Sequence, residues 1–187
     1  MNDESVRERI IQKAVELFSE KGFHGTSMRD IAGASECSLP TLYYHYKSKN
    51  ELFEEIVINR FLHITEMMNK RIDFTASAEE IYLQVYRSRK ELQGFDRDVY
   101  KMALKVWLGF EGSGKARESV TQWEEGRAAA NKRLMQKAVT DPEMCEDVTE
   151  ILINYMENII DRTILMDQRL DEEKIRRQIA LILKIGN

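Results

Sequence analysis

Two prolines, two cysteines and nine glycines among 187 residues leave little room for a β-rich or disulfide-stapled chain. Strand meanders need frequent Gly- and Pro-based turns, and a disulfide framework needs more than Cys37 and Cys145, which share no C-x-x-C spacing. Both are read as unpaired thiols of a reducing cytoplasm. Long apolar runs are missing too. No stretch reaches the ~18 residues of a membrane span, and Met1 to Arg9 is charged where a signal peptide is apolar. The expected location is therefore cytoplasmic, with no membrane partner. A basic excess is also absent: 28 Lys and Arg face 32 Asp and Glu, a net charge of −4, which argues against coating nucleic acid through bulk charge.

What is present points to helices and a real core. Hydrophobic residues make up 43% of the chain and charged ones 32%, rich in the helix formers Glu, Lys, Arg, Leu and Met, so the predicted class is all-α. No phosphate-binding glycine loop, nucleophile elbow, paired-His zinc helix or Ser/His/Asp arrangement stands out, so neither an enzyme nor a cofactor is expected. His24 and His63 lack the Cys or carboxylate spacing of a metal site.

Periodicity and caps divide the chain. Ser5-Val6-Arg7-Glu8 reads as a capping box ahead of apolar Val6, Ile10, Ala14, Leu17 and Phe18, and Lys21-Gly22 reads as the stop. Phe23 to Thr26 reads as a loop. Ser27-Met28-Arg29-Asp30 opens a second helix of about two turns. A third starts at or near Pro40, with Ser38 or Leu39 as its cap. Two short helices joined by a tight turn form a helix-turn-helix unit. Ser48-Lys49-Asn50-Glu51 then opens a long helix reaching about Ile72. Further helices are separated by Thr75-Ala76-Ser77, Gly94-Phe95-Asp96, Gly112-Ser113-Gly114, Asp141-Pro142 and Leu170-Asp171.

Residues 5 to 53 resemble the N-terminal domain of the TetR family of bacterial transcriptional regulators. The matching positions include Leu17-Phe18, Gly22-Phe23, Gly25-Thr26-Ser27-Met28, Ile31-Ala32, Thr41-Leu42-Tyr43, His45-Tyr46, Lys47-Ser48-Lys49 and Leu52-Phe53. The resemblance implies a three-helix DNA-binding domain over 1–47 and a larger helical effector-binding and dimerisation domain over 48–187. It also implies a homodimer on a palindromic double-stranded operator, released by a small effector. The turn departs from the family's Ala-Gly-Val-like triplet with Ser35-Glu36-Cys37, which places glutamate where a left-handed backbone suits glycine. Cys37 reads as a small buried hydrophobe.

In this arrangement the third helix enters the major groove. Thr41 and Tyr43 offer hydroxyls to phosphate, His45 a ring N–H and Lys49 a point charge, while Leu39, Pro40 and Tyr44 reach base edges and Arg29 a guanine. Thr26, Ser27 and Ser38 complete the expected DNA-binding set. Leu42 and Tyr46 face inward, and Tyr43 fits either side.

Aromatic and apolar residues between 78 and 167 suit a pocket for an apolar or aromatic effector, with Tyr86, Arg89, Trp107, Phe110, Trp123 and Tyr155 as the expected lining. Gly109, Gly112 and Gly114 would loosen the helix end beside Phe110. Ile151, Leu152, Tyr155, Ile159, Ile175, Ile179 and Ile182 lie on the last two helices and form the expected dimer interface. Two other classes compete: an architectural DNA-binding protein without effector, and a helical enzyme. Residues 1 to 50 carry seven basic and seven acidic side chains, so the excess acidity lies wholly outside the DNA-binding module.

Overall fold

Ser27 and Asp30 lock the start of the second helix reciprocally: Ser27 Oγ accepts the Asp30 N–H at 3.1 Å, and Asp30 Oδ2 accepts the Ser27 N–H at 2.9 Å. The structure, a computed structural model, describes residues 3–110 and 114–187; Met1, Gly112 and Ser113 lie outside them. The regular elements of the described residues are helical. They are α1 (Asp3–Gly25), α2 (Met28–Ala34), α3 (Leu39–His45), α4 (Lys49–Glu54), a π-helical stretch (Glu55–Arg60), α5 (Phe61–Asn69), α6 (Ala78–Lys90), α7 (Gly94–Trp107), α8 (Gly114–Ala138), α9 (Cys145–Ile164) and α10 (Glu172–Ile185). No described helix is long and apolar enough to cross a membrane.

Several boundaries differ from the sequence reading. Helix α1 already contains Ser5, so its first turn is made by acidic Asp3 and Glu4 instead of the expected box. Its backbone breaks at Gly22, φ 72° and ψ 169°, and the residues expected as a loop complete a helical turn to Gly25. At Ser48 only half the box forms. Ser48 Oγ accepts the Glu51 N–H, but Glu51 Oε2 takes the Lys47 N–H at 2.7 Å. The long helix is not uniform, since Glu55–Arg60 is π-helical. There Arg7 pairs with Glu55 at 2.7 Å and Arg60 with Glu8. Gly94 is the first residue of α7 rather than a separator, and α9 starts at Cys145 rather than Pro142. Asp141 instead caps a turn, accepting the Glu143 N–H at 2.9 Å.

Contacts divide the chain into two units, Met1–Thr65 with Gln93–Thr121, and Glu66–Leu92 with Gln122–Asn187. This differs from 1–47 and 48–187 because α4 and α7 pack on α1 and the π-helical stretch packs on α7, which joins them to the first three helices. In the first unit Phe53 meets Phe18 and Phe23 edge-on, with ring centroids 5.5 and 4.8 Å apart. Ile10, Ile31 and Leu42 are fully buried around this unit's core.

The second unit is built on α6, α9 and α10. Tyr82, Tyr86, Leu152, Met156, Ile159, Ile175 and Ile179 share one core with Met135 and Val139. Arg87 bonds Glu172 and Glu80, and Arg176 bonds Glu79, which ties α6 to α10 along its rim. The C-terminus closes on the end of α8: Gly186 O accepts the N–H groups of Thr140 and Asp141, both at 3.2 Å. A Cβ on Gly186 would lie 2.5 Å from Val139 Cγ1, so only glycine permits this approach.

Candidate DNA-binding face and interior polar cluster

The turn between α2 and α3 is closed by backbone geometry. The Cys37 N–H reaches Ala32 O at 3.1 Å and the Glu36 N–H reaches Gly33 O at 3.2 Å, a Schellman closure that sets Glu36 at φ 50°. The left-handed conformation expected at this position is thus kept despite the glutamate. Arg9 Nε donates to Ser35 O at 2.6 Å and fixes the turn to α1. Cys37 is half-buried rather than buried, and burial pushes its thiol pKa up, away from a reactive thiolate.

Ser38 caps α3. Its Oγ accepts the Thr41 N–H at 3.1 Å and lies 2.7 Å from Thr41 Oγ1. Leu42 and Tyr46 are buried as expected. Burial raises the Tyr46 phenol to about 12. Outward stand Pro40, Tyr43 and Tyr44, the last two 46% and 77% exposed, with Arg29 exposed on α2 and Lys47 exposed after α3. Leu39 is half-buried, and Ser27 and Ser38 are exposed with their hydroxyls engaged on their own helices.

Three expected DNA contacts turn inward. Thr26 is buried, donating its hydroxyl to Gly22 O at 2.9 Å and contacting Leu17 O at 3.2 Å, so it closes the broken end of α1. Lys49 Nζ donates to Phe23 O at 2.6 Å and Thr26 O at 2.7 Å and sits over the Phe23 ring, so it is no free point charge. The His45 side chain is buried against Tyr44, its Nε2 3.6 Å from Asp3 Oδ1. Unsatisfied carbonyls at the break claim the nearest donors, a demand that capping patterns do not reveal.

The expected effector lining is divided. Trp107 and Phe110 belong to the first unit and are exposed, Phe110 by 75%, which removes both from a buried lining. Tyr86, Arg89, Trp123 and Tyr155 belong to the second. There a polar network crosses the helices. The Tyr82 hydroxyl donates to Asn131 Oδ1 at 2.9 Å, and Asn131 Nδ2 donates to Arg127 O at 3.0 Å. Arg127 bonds Glu124 at 2.7 Å and also pairs with Glu157. Burial lifts Glu124 against the pull of Arg127, and burial with the Glu157 charge lifts Asp161. Tyr155 donates to Gln178 at 3.0 Å. The fully buried Tyr86 hydroxyl and Arg89 Nε have no partner.

The expected dimer residues separate in the same way. Leu152, Ile159, Ile175 and Ile179 fill the chain's own core and cannot face a partner. Ile151 is exposed, and Tyr155 and Ile182 are half-buried. Leu181 and Ile185, absent from the expected set, are exposed at 64% and 53%. Their signal was the i, i+4 spacing on α10 itself.

A capped helix pair packed on α1, with Pro40, Tyr43 and Tyr44 exposed along its second helix and Arg29 and Lys47 exposed beside it, defines a helix-turn-helix module. Residues 10–56 match the bacterial regulatory proteins of the tetR family. Over 114 residues the chain is 28% identical to the biofilm operon icaADBC HTH-type negative transcriptional regulator IcaR of Staphylococcus epidermidis, a match spanning 61% of this chain and 58% of that relative. A TetR-like transcriptional regulator from Rhodococcus sp. RHA1 shares the fold with a TM-score of 0.75 at 22% identity, over 97% of this chain and 94% of that one. The multidrug binding protein EbrR complexed with ethidium does so with a TM-score of 0.63 at 22% identity, over 97% and 99%. The family match thus covers the helix-turn-helix segment, the chain spans a little over half the length of the curated relatives it matches, and the solved structures extend the shared fold over nearly the whole chain.

Proposed function

We propose that this protein is a ligand-responsive transcriptional repressor that binds a palindromic DNA operator as a homodimer in the cytoplasm. The observation that carries the reading is the exposed Pro40, Tyr43 and Tyr44 edge of α3, held on a satisfied turn within the matched residues 10–56. Two such edges, one per protomer, read half-sites about 34–36 Å apart. Arg29 and Lys47 add cationic contacts beside them. Ile151, Leu181 and Ile185 supply exposed apolar area on α9 and α10 for a helical dimer interface. The naming of IcaR as a negative regulator supports repression, and the ethidium complex of EbrR supports a small organic effector.

Effector binding shifts the population of dimers away from the operator-competent spacing. The helical run from Lys49 to Asn69 is the coupling element in this reading, because its residues are shared by the two units and its Glu55–Arg60 stretch is π-helical.

Fluorescence anisotropy of the full chain on the intergenic DNA beside its own gene tests the proposal. Specific binding is expected, with affinity falling about tenfold or more in Tyr44→Ala at unchanged thermal stability. Equal affinity of wild type and Tyr44→Ala, or binding with no preference for that DNA over random sequence, overturns it.

A further inference from the structure

Arg89 is 5% exposed, near the C-terminal end of α6. Its Nη1 reaches only neutral oxygens, Ser88 Oγ at 2.9 Å and Val85 O at 3.3 Å, and its Nε–H reaches none. One turn back, Tyr86 is fully buried and its hydroxyl also lacks a partner. Residues three apart share a helix face, so two buried donors project from the same side of α6 into the second unit. Buried polar groups are almost always paired, and a guanidinium is paired before any other.

The carboxylates within electrostatic reach do not supply the missing acceptor. Glu124 is held by Arg127, and Glu157 shares the same guanidinium while remaining 39% exposed and screened by solvent. Arg127 and Glu124 are partly buried and pair with each other, which leaves the buried Arg89 guanidinium with no carboxylate in hydrogen-bond contact. Tyr82, Met156 and Ile159 make the surroundings apolar. A planar oxyanion at the end of an apolar body fits this combination, since guanidinium and phenol together present directed N–H and O–H donors to carboxylate oxygens.

We propose that the Tyr86–Arg89 corner binds the carboxylate of an apolar monocarboxylic acid. This names the effector's class and so rests on the ligand-responsive reading above.

The test is calorimetric titration of the full-length protein, without DNA, with phenylacetate, benzoate and octanoate, each beside its primary amide. At least one acid binds at least about tenfold more tightly than its amide, and Arg89→Met removes that preference. Tyr86→Phe, which deletes only an unpartnered hydroxyl, leaves the melting temperature of the free protein unchanged or raised while weakening the acid several-fold. That variant decides the matter even where Arg89→Met does not fold. Equal affinity for acid and amide, no binding of any acid up to about 1 mM, or a Tyr86→Phe protein that binds the acid as wild type does, overturns the proposal. Release of operator DNA is measured separately: an acid that binds through Arg89 but leaves DNA affinity unchanged preserves this assignment and defeats the repressor mechanism.

Discussion

Tyr43 and Tyr44 in the first unit face solvent, while Tyr82 and Tyr86 in the second are buried. Polar groups divide less cleanly, since the buried hydroxyls of Ser35 and Tyr46 in the first unit also lack a partner, but the charged donors differ. Near the helix-turn-helix, Thr26 and Lys49 spend their donors on main-chain carbonyls of Leu17, Gly22, Phe23 and Thr26. On α6, a buried guanidinium and phenol keep unspent donors. A surface that reads a large, hydrated partner needs a rigid base and exposed tips, and Thr26 and Lys49 give their donors to that rigidity. A site that encloses a small molecule needs buried donors that the chain itself leaves unmatched.

The largest effect that sharpens this comparison is expected from Lys49→Met, which strips the ammonium from two carbonyls at the end of α1. Stability should fall by about 2 kcal/mol in urea denaturation. A loss near zero would return Lys49 to the DNA-contacting role inferred from sequence. Thr26→Val comes next, at about 1–2 kcal/mol, since a buried hydroxyl that bonds two carbonyls is removed. If Thr26→Val and Tyr86→Phe had equal effects on the free protein, the contrast between spent and unspent donors would fail.

Glu36→Gly should stabilise by about 1 kcal/mol, because glycine takes φ 50° without the Cβ penalty. Thermal denaturation with unchanged operator binding checks it. The smallest effect concerns the rim of the second unit. A hydrogen bond from Arg87, opposed by burial and aided by the Arg87 and Lys90 charges, holds the Glu172 carboxyl below its ordinary pKa. A carboxyl lowered on folding adds stability above its unfolded pKa and loses it as pH falls through the folded one. Glu172→Gln should therefore flatten the acid side of the stability curve below about pH 4.5 by less than about 1 kcal/mol, the pair being partly exposed. An unchanged acid limb would show that this ion pair contributes nothing.

Much of the first unit was legible because its signals are local. The Ser27 box and the inward Leu42 and Tyr46 follow from spacing over a few residues, the structure decides for Ser38 over Leu39 as the cap of α3, and the outward Tyr44 was implied by the family resemblance. The helical class and the break at Leu170-Asp171 ahead of α10 follow similarly, and the structure makes Asp171 the cap of that helix. The sequence could not show that the end of α1 would capture Lys49, or that α7 would join the first unit, since both depend on neighbours far along the chain.

Sequence by itself determined the helical class and the helix-turn-helix, because caps and periodicity act within one or two helical turns, whereas the left-handed backbone at Glu36 was implied by the family resemblance and is seen in the structure. Only the tertiary structure decided which of two apolar faces on α9 and α10 was consumed internally, leaving Ile151, Leu181 and Ile185 outside. It alone brought Tyr86 and Arg89 into an apolar interior with their donors unmatched. Burial and pairing belong to the assembled fold, and periodicity marks a face without saying what will cover it.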